Sequence, residues 1–190
     1  MTILKKILHV IFSAFLVWQT IILIERLLNS QPSDFAGMLV DAMLINLFVT
    51  GIFTIVYSFP VYKILPVNYY AIKSPGILKL SGKIIQIDLF RQLLMSTIWN
   101  KRHNKKHFFN GYRSGFYDFE IATKRSEFGH FAGFCMVFLI ALVTGIKADL
   151  MQAFMILLIN ILFNFYPFML QRVHRSRLNE LKRKSGMIET

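Results

Sequence analysis

The sequence predicts an all-α integral membrane protein, a four-helix bundle with a long cytoplasmic loop that contains an interfacial or re-entrant helix. Three observations support this fold class. Hydrophobic residues make up 55% of the 190 residues, which is more than an ordinary soluble domain carries. Four apolar segments are long enough to cross a bilayer. The basic residues behind the formal net charge of +12 lie mostly outside these segments.

The four predicted spans are residues 7–24, 35–57, 128–146 and 150–170. The first begins like a signal peptide, but its apolar part is too long and lacks a small-residue cleavage site, so we expect a retained helix. The second contains Asp41, and an ionisable residue in a span is a candidate functional residue. Because Asp41 lies near the end of the span, a capping or packing role is also open. The short connection at 147–149 makes the last two spans antiparallel neighbours.

The segment 58–127 is more polar and is expected to form one cytoplasmic loop, while residues 171–190 form a basic tail. Within the loop, residues 84–99 are too polar to span a bilayer and too apolar for a free loop. They predict a helix that lies on the membrane surface or dips into it. All these parts are expected to form a single membrane domain.

The distribution of lysine and arginine predicts the orientation. Two of the 22 precede the first span, 12 lie between the second and third, and six follow the fourth. Because positively charged segments stay in the cytoplasm, both termini and the long loop are expected there. A basic surface can also bind nucleic acid. Here topology and anionic lipid headgroups explain the charge better, so we expect lipid contacts and no nucleic-acid partner.

Glu127 and His130 form the candidate catalytic pair. They are three residues apart, so on a helix they share one face, and the carboxylate could orient the imidazole as a general base. The alternative is an ion pair that anchors the helix end. The tight connection between the last two spans should bring Asn164 to the depth of His130, and Arg172 close to Glu127. An asparagine in a span can also be a simple interhelical hydrogen-bonding residue, so both interpretations stay open.

Metal binding is not expected. His103 and His107 are four apart and could share a metal on a helix. Four neighbouring cationic side chains disfavour a metal cation there and favour a phosphate or lipid headgroup. The lone Cys135 cannot form an intrachain disulfide or a cysteine-based zinc site.

Several short motifs occur in an order that is similar to one known family. They are Trp99-Asn100, Lys105-Lys106, Gly111, the Thr-Lys-Arg-Ser-Glu-x-x-His segment at 123–130, Asn164, and the Gln-Arg-x-x-Arg-x-Arg-Leu segment at 171–178. From about residue 65 to residue 178 the chain resembles the glycosyl-4,4'-diaponeurosporenoate acyltransferase family, small bacterial membrane proteins of carotenoid biosynthesis. It departs from the family pattern at Asn110, Ala122 and Ser176.

The resemblance implies transfer of a fatty acyl group to a hydroxyl, a sugar hydroxyl in the family, of a lipid or carotenoid glycoside in the bacterial cytoplasmic membrane. The donor would be an acyl thioester such as acyl-CoA, with no cofactor. His130 would be the base and Glu127 its orienting group, with Asn164 or Arg172 steadying the oxyanion. The expected substrate-binding residues are Asn164, Gln171, Arg172, Arg175, Trp99, Lys101, Arg102 and Lys105. The alternative function is a non-catalytic membrane subunit or scaffold that binds lipid or a protein partner.

Overall fold

The computed structural model describes residues 2–29, 34–97, 113–147 and 149–184. Within these ranges the chain is helical with short connecting turns and contains no strand, which confirms the all-α class. Four helical segments are long and apolar enough to cross a membrane: Ile3–Asn29, Phe35–Tyr57, Gly115–Lys147 and Leu150–Lys184. The predicted number of spans is therefore confirmed.

The α-helices are α1 (Ile3–Asn29), α2 (Phe35–Ile52), α3 (Val67–Tyr70), α4 (Pro75–Ile84), α5 (Ile87–Thr97), α6 (Arg113–Lys147), α7 (Leu150–Asn160) and α8 (Tyr166–Lys184). Two 3₁₀ segments, Phe53–Tyr57 and Val61–Ile64, follow α2. A π-helical segment, Ile161–Phe165, joins α7 to α8 without a turn.

The third and fourth spanning segments extend beyond the predicted limits. Helix α6 begins at Arg113, so residues 113–127 of the predicted loop are helical, and α8 continues through the predicted tail to Lys184. A segment of 33 residues is about 50 Å long, whereas the apolar core of a bilayer is about 30 Å thick. Each of these segments is therefore too long to lie entirely within the apolar layer, and its polar part is expected to extend beyond it.

The helix expected at 84–99 begins later, at Ile87, and within the described residues it continues to Thr97. Helix α4 ends at Ile84 and α5 begins at Ile87. Between them Gln86 has a φ of 54°, a left-handed conformation that cannot continue an α-helix. The placement of these helices at a membrane surface stays a prediction.

The chain divides into two compact units, the first formed by Met1–Tyr62 and Phe128–Pro167. Its core contains Ala42, Ile45 and Val49 of α2, which are completely buried. Asp41 forms an ion pair with Arg26, which gives this acid a structural partner at the end of its span.

The second unit is formed by Lys63–Glu127 and Phe168–Thr190. It contains α3, α4, α5, the first part of α6 and most of α8. Glu120 accepts hydrogen bonds from Lys124, at 2.6 Å, and from Lys182, at 2.5 Å. These contacts join the polar part of α6 to α8 and explain why both helices continue past their apolar stretches.

Candidate functional site

Asn164 is the centre of a group of polar side chains in the first unit, which we call the amide cluster: Asn46, Thr50, His130, Asn160 and Asn164. Its Oδ1 accepts a hydrogen bond from Thr50 Oγ1 at 2.8 Å and lies 3.4 Å from His130 Nδ1. Its Nδ2 donates to Asn160 Oδ1 at 2.9 Å and to Asn46 Oδ1 at 3.3 Å. Asn164 is completely buried, and these four contacts use all the hydrogen-bonding capacity of its amide.

Main-chain carbonyl groups determine which way each amide faces. Asn46 Nδ2 donates to two of them, at 2.9 and 3.2 Å, and Asn160 Nδ2 donates to Phe134 O at 3.0 Å. Because these nitrogen atoms are engaged by carbonyls, the Oδ1 atoms of both residues face Asn164 Nδ2. Asn164 Oδ1 must then face Thr50 and His130.

This orientation assigns the proton on the imidazole of His130. An amide oxygen only accepts hydrogen bonds, so the Nδ1 atom that approaches Asn164 carries the proton. The main-chain carbonyl of Phe163, one residue earlier in the π-helical segment, is a second acceptor beside the ring. In the neutral ring Nε2 is then the unprotonated nitrogen, and that atom is the one available as a general base.

A glycine allows the close approach on which this contact depends. A Cβ atom at Gly133 would lie 2.8 Å from Asn164 Oδ1, closer than real Cβ contacts allow. At Gly129, one turn earlier, a Cβ atom would lie 3.6 Å from Phe53 O, an ordinary contact. The absence of a side chain at Gly133 therefore lets Asn164 approach α6 closely. Asn164 also belongs to a π-helical segment, a conformation that is frequent at functional sites.

Glu127 belongs to a separate ionic group in the second unit, which we call the arginine cluster: Tyr69, Tyr70, Glu127, Arg172 and Arg175. Glu127 is completely buried, and its Oε1 accepts from Arg172 Nη1 at 3.0 Å while its Oε2 binds Arg175 Nη2. Arg172 also donates to Tyr69 O at 3.3 Å, and Arg175 donates to Tyr70 O at 3.0 Å.

The arginine cluster carries two guanidinium groups and one carboxylate, so it has a net positive charge. The guanidinium groups lie 5.4 Å from the Tyr69 ring centre and 5.5 Å from the Tyr70 ring centre, where cation–π attraction adds to the ion pairs. Burial and the nearby Glu127 charge raise the pKa of Tyr69 to about 12. The phenol therefore stays protonated at neutral pH and adds no second negative charge.

The structure brings the predicted residues together as two pairings rather than one. His130 meets Asn164, and Glu127 meets Arg172, as the register of the last two spans predicted. Glu127 also binds Arg175, a contact that the register did not predict. The expected contact between Glu127 and the imidazole is replaced by these arginine contacts. Two guanidinium groups form stronger charge-assisted hydrogen bonds to a carboxylate than a neutral imidazole does. Asn164 occupies the place beside the imidazole where we expected Glu127.

Several of the residues predicted from the sequence are not described by the structure. Trp99, Lys101, Arg102 and Lys105 lie outside the described residues, as do His103 and His107. Gln171 is buried at the start of the polar part of α8, and its role in substrate binding stays a prediction.

The sequence reasoning missed three members of the two clusters. Thr50 lies four residues after Asn46 in an apolar span, and that spacing was a usable signal because it places both polar groups on one helix face. Tyr69 and Tyr70 act largely through their main-chain carbonyls, which no side-chain pattern reveals.

Comparison with known protein families identifies the chain. The family model described as CrtO, glycosyl-4,4'-diaponeurosporenoate acyltransferase, matches residues 81–184, more than half of the sequence. The chain belongs to the glycosyl-4,4'-diaponeurosporenoate acyltransferase family. The match includes Glu127, His130, Asn164, Arg172 and Arg175, and membership makes the protein an acyltransferase of carotenoid biosynthesis. Comparisons with curated proteins and with solved structures found no match to this acyltransferase.

Proposed function

We propose that this acyltransferase transfers a fatty acyl group from a thioester such as acyl-CoA to a sugar hydroxyl of a carotenoid or lipid glycoside, with His130 as general base. The observation that supports this proposal is the contact between His130 Nδ1 and Asn164 Oδ1, at 3.4 Å. Asn164 is itself held by hydrogen bonds with Asn46, Thr50 and Asn160. These bonds fix the orientation of the Asn164 amide, so its oxygen faces the imidazole.

In the proposed reaction His130 Nε2 takes the proton of the acceptor hydroxyl as its oxygen attacks the thioester carbonyl. A C–O bond forms, and the C–S bond of the tetrahedral intermediate then breaks. The imidazolium returns the proton to the departing thiolate, which leaves as a thiol and restores the neutral ring. Asn164 maintains the tautomer and the ring orientation, as a third group does in other base-assisted transfers.

The cationic residues of the cytoplasmic segments are proposed to meet the phosphates of the donor. Lys101, Arg102 and Lys105 supply three cationic side chains in one short segment. Arg172 exposes 22% of its side chain and already binds Glu127. We assign Glu127 the role of balancing Arg172 and Arg175.

The site of action is proposed to be the bacterial cytoplasmic membrane, with both termini inside. The uneven distribution of the 22 lysine and arginine residues supports this orientation. A cysteine at position 73, in a variant without Cys135, should resist an impermeant thiol reagent in intact cells. Labelling from outside would contradict the orientation.

The test of the mechanism is the His130→Ala variant, compared with His9→Ala. His9 is a second histidine of the first unit, with Ser58 as its side-chain partner, so its removal controls for the loss of a partnered imidazole. We expect His130→Ala to lower the rate by about 10²–10⁴-fold, the range of general-base catalysis, and His9→Ala to stay within about twofold. The rate is measured from the acylated glycoside, by liquid chromatography and mass spectrometry, with purified protein, acyl-CoA and glycosylated carotenoid. Full activity of His130→Ala would contradict the mechanism, and absence of product with the unmodified protein would favour the non-catalytic alternative.

A further inference from the structure

A groove of about 590 Å³ lies on the second unit, apart from the residues of the arginine cluster. Helix α4, the start of α5 and the middle of α8 form its walls. Its volume is in the range of small-molecule binding sites.

The floor of the groove is apolar. Ile87 is 2% exposed and Val173 is 9% exposed, and both line it together with Leu78. Gly82 is also part of the lining, and a Cβ atom there would lie 3.1 Å from Ile87 Cγ2. The absence of a side chain at Gly82 therefore lets α4 and α5 approach each other beneath the groove.

The rim of the groove is cationic. Lys79 and Lys83 are exposed, and they lie one turn apart on α4. Among the residues that the structure describes, neither lysine forms an ion pair. Two like charges four residues apart on a helix destabilise it slightly, so their presence on one rim does not serve the stability of α4.

The two acidic residues of the groove only partly cancel this charge, because the lining has three cationic side chains. Asp88 is bound by Arg177 at 3.0 Å and by Arg91 at 3.2 Å, and the hydrogen bond from Arg177 lowers the pKa of Asp88. Asp88 is therefore already matched by two cations. The remaining acid of the lining is Glu180, a single carboxylate against the two lysines of the rim.

We propose that this groove binds a phosphate-bearing amphiphile, with the phosphate at Lys79 and Lys83 and the apolar part of the ligand on the floor that Ile87 and Val173 form. Ammonium groups bind phosphate as point charges, and the buried aliphatic floor suits an alkyl or acyl segment. Two kinds of ligand share this chemistry. One is a soluble acyl carrier such as coenzyme A with its acyl chain, and the other is an anionic phospholipid.

The test measures binding of dodecyl phosphate to the full-length protein in phosphatidylcholine nanodiscs, by isothermal titration calorimetry. We expect the Lys79→Gln/Lys83→Gln variant to weaken binding by about tenfold, the effect of losing two exposed charge contacts. The control is Lys73→Gln/Lys184→Gln, which changes the net charge of the same unit equally at exposed positions outside the groove lining. Equal affinities of the two double variants would overturn the proposal.

A second variant separates a bound ligand from general electrostatic attraction. Gly76 lines the groove, and a Cβ atom there meets nothing within 4 Å, so the side chain of Gly76→Phe starts in open space. We expect it to reduce dodecyl phosphate binding by at least about tenfold, because the ring occupies part of the ligand volume. Undiminished binding would overturn the groove as the site.

Competition identifies the source of the phosphate. Displacement of dodecyl phosphate by palmitoyl-CoA, with no effect of phosphatidylglycerol in the nanodisc, would assign the groove to a soluble acyl carrier. Displacement by phosphatidylglycerol, with no effect of palmitoyl-CoA, would assign it to a lipid headgroup. Failure of both competitors to displace dodecyl phosphate would overturn both assignments.

Discussion

The amide cluster and the arginine cluster both bury polar side chains, but they satisfy them with different kinds of partner. The amide cluster is built from neutral groups, and every hydrogen-bonding position of Asn164 is occupied. The arginine cluster is built from charged groups, and one carboxylate forms ion pairs with two guanidinium groups. Helix α6 supplies a residue to each, His130 to the first and Glu127 to the second.

The difference explains which cluster suits chemistry. A neutral network holds an imidazole by a directional contact at one ring nitrogen, and in a neutral ring the other nitrogen is basic. An ionic network engages both oxygens of its carboxylate with guanidinium groups, so removing one partner of the network is costly. Two residues three positions apart on one helix therefore have different contacts, because the neighbouring helices offer them different partners.

The largest expected effect is on stability, in Glu127→Gln. Removing the carboxylate charge leaves Arg172 and Arg175 without a counter-ion, and Arg175 is 2% exposed. Breaking a buried ion pair in this way costs about 3–5 kcal/mol of unfolding free energy. Chemical unfolding of the purified protein in one detergent measures the loss.

Glu120→Gln is the matched control for Glu127→Gln. Glu120 lies on the same helix and also binds two cations, but 24% of its side chain is exposed. Its loss is expected to cost about 1 kcal/mol or less. Equal losses for the two variants would show that burial does not distinguish the two ionic groups.

The next effect is on activity, in Gly133→Ala. The added Cβ atom would lie 2.8 Å from Asn164 Oδ1, which is too close. The Asn164 side chain would therefore move away from the His130 ring. A misplacement of about 1 Å can lower a rate by about 10²-fold, and we expect a loss of that order in the acyl-transfer assay.

Gly129→Ala is the control for Gly133→Ala. Its nearest contact of 3.6 Å needs no rearrangement, so we expect less than about twofold loss of activity. Alanine has the higher helix propensity at both positions, so a simple helix-propensity effect would be the same for the two variants. Similar activities of the two variants would remove the evidence for a positioned Asn164.

The smallest effect is expected for Thr50→Val, which removes one of the two contacts to Asn164 Oδ1. A single hydrogen bond contributes about 1 kcal/mol, so we expect a rate several-fold lower and a fold that is largely unchanged. Thr50→Ser keeps the donor hydroxyl and should restore the rate. Equal rates for the valine and serine variants would show that this hydrogen bond does not orient Asn164.

Much of the site geometry was accessible from the sequence. The short connection predicted at 147–149 sets the register of the last two spans, and counting from it placed Asn164 beside His130 and Arg172 beside Glu127. The sequence did not reveal that His130 contacts Asn164 instead of Glu127, or that Glu127 binds two arginines instead of His130. This choice of partners depends on the rotation of each helix about its axis, and the π-helical segment at Ile161–Phe165 alters that rotation just where Asn164 lies.

By itself the sequence determined that the protein is helical, that four segments are apolar enough to span a membrane, and which polar residues occur at similar depth. These properties depend on composition and on the helical period, which are local and additive along the chain. The tertiary structure decided that Asn164 rather than Glu127 contacts His130, and that Glu127 binds two arginines. Hydrogen bonds and ion pairs act over about 3 Å, so a shift of less than one helical turn changes which groups meet.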